Sequence, residues 1–157
     1  MIENNKLDKS FGSVGTSAGI FLVFIGIIVS CLYPSALVLI LIGGFVGFSG
    51  TSTRINYNKK QVKFSNNIFG FIPVGKWISL ESSMKIGIRE SNQTYRAYSR
   101  GNRTLDIART DFRLTLFDSQ NREIVPLKKF NTIEVALMEL EIMSGKLGLP
   151  ILQKEIV

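Results

Sequence analysis

The side chains best able to do chemistry here are a run of arginines: Arg89, Arg96, Arg100, Arg103, Arg109 and Arg113. A guanidinium grips phosphate or carboxylate through a planar fork of donors. Alternate residues of a strand share a face, so Arg96, Tyr98 and Arg100 line up. A two-residue turn at Gly101-Asn102 would bring Arg103 beside them. Lys59, Lys60 and Lys63 form a second basic group on the first predicted strand hairpin. Lys59, Lys60, Lys63, Arg96, Arg100 and Arg103 are therefore the candidate contacts for anionic lipid or an acidic partner. The competing reading, and the weightier one for the arginines, is the solvated outer face of an antiparallel sheet.

Little else points to a reaction. The chain has no His and one Cys, Cys31. It therefore lacks the commonest acid–base group and metal ligand, and an internal disulfide is impossible. Asp106, Asp111 and Asp118 are spaced around predicted strands and read as solvated strand ends. Gly12-Ser-Val-Gly15 and Gly43-Gly44 lie beside or within an apolar run, and no Gly-Lys-Ser follows them to make a phosphate loop. Ser30 and Ser35 have no base nearby in the pattern. The sequence assigns no catalytic residue, cofactor or metal, and the expectation is a protein that is not an enzyme.

The elements that must position the basic groups begin with an uncharged stretch. No Asp, Glu, Lys or Arg occurs from Phe11 to Thr53. A bilayer core of ~30 Å takes ~20 apolar residues as a helix, and helices keep their backbone groups paired in hydrocarbon. The stretch therefore reads as a two-helix transmembrane hairpin, residues 14–53. Its helices span roughly Val14 to Leu32 and Ala36 to Thr53, turning at Tyr33-Pro34. Gly15 and Gly19 are four apart, as are Gly43 and Gly47, and such small-residue stripes pack helices closely in lipid. The four are candidate helix-packing residues, within the hairpin or, as the sharper alternative, in a homo-oligomer. Residues 1–13 read as a polar, mobile lead. A rival reading takes Lys6 and Lys9, the apolar run and Cys31 as a lipoprotein signal. Leu32-Tyr33-Pro34 and a second apolar run then stand where a polar tether belongs.

The net charge of +7 lies wholly after the apolar stretch, since Glu3 and Asp8 cancel Lys6 and Lys9 before it. By the positive-inside rule both termini are cytoplasmic, which predicts a multi-pass inner-membrane protein. A basic domain also suits an anionic inner leaflet. No basic helix or aromatic-rich motif supports a nucleic-acid partner.

From residue 54 to 157 the pattern changes to a single cytoplasmic domain. Ile55 and Tyr57, then Val62 and Phe64, alternate with polar residues around a Lys59-Lys60 turn. Further strands are predicted at 76–80, 84–89, 94–100, 105–107, 112–116 and 123–128, for about seven in all. Asn131-Thr-Ile-Glu134 fits a capping box. Ile133, Leu137, Leu140 and Leu147 follow on one helical stripe, with Ala136 and Met143 beside it, and Gly145, Gly148 and Pro150 supply stops. The class is an α-helical membrane hairpin plus an α+β domain.

That order resembles the pleckstrin-homology-like superfold, an antiparallel barrel closed by a C-terminal helix. The likeness rests on Arg54-Ile-Asn-Tyr-Asn-Lys-Lys-Gln-Val-Lys-Phe64, Arg113-Leu-Thr-Leu-Phe117 and Lys146-Leu-Gly-Leu-Pro150. The whole layout resembles bacterial membrane-anchored PH-like proteins and, in outline, the photosystem I assembly family. The resemblance implies an adaptor or assembly factor whose partners are membrane lipid and other membrane proteins. The alternatives are an accessory subunit of a transporter or other membrane complex, or an anionic-lipid-binding module.

Overall fold

The structure, a computed structural model, describes residues 2–98 and 104–152, and of 92–98 and 104–109 the backbone alone. The chain divides into two compact units, Met1–Ser79 and Leu80–Val157. The expected domain from 54 to 157 is thus shared between them.

The first unit holds β1 (Ile2–Lys9), α1 (Gly12–Ser30), a 3-10 turn (Pro34–Ala36), α2 (Leu37–Phe48), β2 (Gly50–Asn56), β3 (Gln61–Ile68), β4 (Ile72–Val74) and β5 (Trp77–Ser79). β1 runs antiparallel to β2, from Ile2↔Asn56 to Lys9↔Gly50. The helix pair is therefore inserted between two adjacent strands, and both its ends are tied to one end of the sheet. The sheet runs β1-β2-β3-β4, with β5 also paired to β3. Ile55 and Val62 face each other across β2 and β3 with 0% exposure.

Two expectations change in this unit. The polar lead is a strand, although it lacks an alternating apolar face. Backbone pairing with β2 orders it, Asn5 is buried, and the Tyr57 hydroxyl donates to Glu3 Oε2 at 2.7 Å. Its exposed lysines suit a sheet edge, where charge deters further pairing. The second helix stops at Phe48 instead of running on to Thr53. Ser49 is already extended, and Thr51-Ser52-Thr53 enter a strand paired on both sides. β-branched threonines favour that state.

The second unit holds β6 (Lys85–Tyr98), β7 (Thr104–Phe117), β8 (Glu123–Phe130) and α3 (Ile133–Leu147), with the strands in the order β6-β7-β8. Ile86, Leu114, Leu116 and Leu127 are fully buried, and α3 buries Ala136, Leu140, Met143 and Leu147. Leu137, expected on the buried stripe, is 44% exposed, because the buried residues lie one position round the helix. Nor does the expected capping box form. Thr132 is the N-cap, without a side-chain hydrogen bond. Gly148 ends the helix in the left-handed conformation (φ 68°), its N–H donating to Ser144 O at 2.8 Å. The chain then returns along the free edge of β6. Ile86 N–H donates to Pro150 O, and Leu152 N–H to Ile86 O.

The fold is α+β with antiparallel sheets. A single closed barrel is not found: the eight described strands form one sheet of five and one of three.

Candidate functional site

The helix pair inverts the packing of a soluble protein. Its buried residues are its smallest: Gly19 and Gly26 in α1, and Gly43 and Gly47 in α2. Its large side chains face outward, and Phe21, Phe24, Ile28 and Leu41 are 62% to 70% exposed. α1 is 19 residues long, with mean hydropathy 2.1 and 11% of its span buried, and is long and apolar enough to cross a membrane. At 1.5 Å per residue it reaches ~28 Å, whereas α2 reaches only ~18 Å. One helix therefore meets the length of a span, and the expected second span does not.

The glycines set how close the helices come. A Cβ on Gly19 would lie 2.4 Å from Gly47 N, and one on Gly43 would lie 2.6 Å from Gly19 O. The stripes of the two helices thus face each other. Gly15 lies apart from that contact, its nearest neighbour being the Phe11 side chain. Gly26, against Ile40, takes the place that spacing alone gave to Gly15.

Where the helix pair meets the sheet, a cluster of rings forms. Phe45 of α2 packs edge-on against Phe11 (ring centroids 5.5 Å) and Phe69 (5.9 Å), and Phe69 lies 6.4 Å from Phe71. Phe69, Gly70 and Phe71 are the turn between β3 and β4. Lys6, Asp8 and Lys9 line a hollow of about 150 Å³ beside it, with Phe48 and Gly70 on its wall. Sequence reasoning did not single out this turn. The available signal was an apolar Ile68-Phe69-Gly70-Phe71-Ile72 where a turn is ordinarily polar.

The predicted basic residues lie elsewhere. Lys59 and Lys60 sit on the exposed β2–β3 turn, at the far end of β2 from the helices. Seven residues of strand put them ~23 Å along it, well beyond the ~8 Å Debye length at physiological salt. Lys63 is half-buried, and its Nζ donates to Pro73 O at 3.5 Å. In β6, Arg96 is in register with Asp106, and its side chain lies outside the described residues. Arg100, Arg103 and the Gly101-Asn102 turn lie outside them altogether.

The described arginines build a different arrangement in the second unit. Arg89, Arg113 and Lys129 are direct cross-strand neighbours on β6, β7 and β8. Like charges so placed repel, and carboxylates separate them. Asp111, buried, accepts from Arg113 Nε at 2.7 Å and lies 3.3 Å from Lys129 Nζ. Glu123 pairs with Arg89. Arg89, Arg113 and Glu123 line a polar groove of about 410 Å³ over the sheet, with Glu90 and with Pro126 of the bulged β8. The carboxylates already engage the cations that an anion would need, so the groove is an internal ion-pair network.

Asp111 and Asp118 are seven residues apart along β7, ~23 Å in a strand, and do not converge. Among the described residues no group of three or more His, Cys, Asp or Glu could hold a metal ion. Asp118 instead fastens the β7–β8 turn, accepting from the Gln120 and Arg122 N–H groups at 2.8 Å each and from Arg122 Nε at 2.8 Å. The Arg122 backbone N–H above all, with its guanidinium and the Gln120 N–H, holds the carboxyl below the usual carboxylate range.

No family model, no curated protein and no solved structure matches the chain.

Proposed function

We propose that the chain is a non-enzymatic membrane protein whose helix pair lies in the bilayer and whose sheets stand at the cytoplasmic surface to recruit or assemble protein partners. One observation carries the reading: small residues buried and large apolar ones exposed along uncharged helices. In water such a surface would aggregate, and in hydrocarbon it is at its lowest free energy. The low burial of α1 argues against the core helix of a soluble protein. Removal of α1 as a signal would also take away β1, the pairing partner of β2, and would strip Gly43 and Gly47 of their contact.

The likeness to membrane-anchored PH-like proteins enters only through the order of elements, a helix pair followed by strands and a closing helix. Positive charge after the helices orients the sheets toward the cytoplasm. Tethering would raise the effective concentration of a weak protein-binding face at the membrane. The test is extraction of native membranes at alkaline pH with the full chain. It should stay in the membrane pellet and leave only with detergent. Release into the carbonate supernatant refutes the proposal.

A further inference from the structure

We propose that the β3–β4 turn, Phe69-Gly70-Phe71, is a third membrane-embedded element, inserted beside α2 into the boundary between headgroups and acyl chains. The inference rests on the proposed bilayer location of the helix pair and goes beyond it, since nothing in a strand turn by itself requires lipid. The turn packs against α2 within its last turn. The Phe69 ring lies against Gly44 and Phe45, and Gly70 against the carbonyl of Phe48. Phe71, 75% exposed, lies with its ring centroid 6.4 Å from that of Phe69, which itself packs on the 40% exposed Phe45. Ile72, next in the chain, is 45% exposed.

Two of the three N–H groups of the turn are paired within the protein. Phe69 N–H donates to Ser49 Oγ at 3.1 Å, Phe71 N–H to Ile68 O at 3.4 Å, and Ile68 pairs with Ile72. Polar backbone groups enter the interface at low cost only when paired in this way. Phe69 also holds a positive φ of 53°, a conformation in which Asn or Gly is the ordinary choice. A ring kept there despite the strain points to a use for the ring. Lys6 and Lys9, beside the turn, can reach headgroup phosphates from that depth.

The test uses depth-dependent tryptophan quenching in the full chain. Trp77 is the native tryptophan, so Trp77→Phe supplies a silent background. Phe71→Trp and, separately, Phe24→Trp are placed in it and reconstituted into phosphatidylcholine–phosphatidylglycerol vesicles with brominated acyl chains. Both positions are exposed, so both variants should fold. The expected result is blue-shifted emission and loss of intensity at both positions, deeper in the bilayer at 24 than at 71. Quenching at 24 with none at 71 overturns the inference and leaves the helix pair in lipid. Quenching at neither removes the bilayer location and the inference together.

Discussion

Asp111 and Glu123 answer to different physics although each pairs with a basic neighbour. The Asp111 side chain is 6% exposed and serves Arg113 and Lys129 together, so Asp111→Ala leaves two half-desolvated cations facing each other. It should cost about 3 kcal/mol, the low end of the range for breaking a buried pair, because both cations keep some exposure. Glu123→Ala breaks a pair whose side chains are 56% and 40% exposed and should cost under about 1 kcal/mol. Denaturant titration of both variants in detergent checks the contrast, and equal losses would remove the argument. Asp118 adds a pH dependence. Its carboxyl is held low in the folded state, so its contribution is present above the unfolded carboxylate value, ~3.9, and is lost as pH falls through the folded value. Asp118→Asn should therefore weaken the protein at neutral pH and flatten this part of the acid loss, as followed by circular dichroism. The arginine run was visible in the sequence, but its pairing was not. Register alone sets Arg89 beside Arg113 and Lys129, and register depends on bulges in β8 that composition does not announce.

At the scale of elements, glycine has two opposite meanings here. Gly43 lies where a Cβ would press on the backbone of α1, and backbone cannot move aside as a side-chain tip can. Gly43→Leu should force the helices apart and lower the melting temperature in detergent. Gly145 sits in α3 with nothing within 4 Å of its would-be Cβ. Gly145→Ala should therefore stabilise by about 0.5–1 kcal/mol. An unchanged melting temperature for Gly43→Leu would show that the helix contact contributes little. Both helices were legible as apolar runs, and β3, β5 and β8 as short strands. β6 and β7 each read as two pieces, 84–89 with 94–100 and 105–107 with 112–116, because their middles are polar and show no apolar alternation. β1 was not legible, because an edge strand held by its ladder needs no apolar face. The end of α2 was misplaced because the boundary followed the absence of charge, and Ser49–Thr53 are uncharged yet polar and fit a strand.

For the whole molecule, pairing of β1 with β2 makes a topological statement. In the proposed bilayer location, a helix pair inserted between two adjacent strands would enter and leave on one side. The loop after α1 is its far point, and Cys31 there is exposed. In intact spheroplasts a membrane-impermeant maleimide should label Cys31 from outside, while a cysteine placed at Asn58 should react only after lysis. The reverse pattern would invert the orientation. The sequence by itself determined that a long uncharged segment precedes a basic, strand-rich region, because charge and hydropathy are properties of residues one at a time. Only the tertiary structure decided that the strands divide into two sheets, that the first strand closes on the far side of the helices, and that an aromatic turn reaches back to α2. Those are matters of register and return path, which depend on residues distant in the chain meeting.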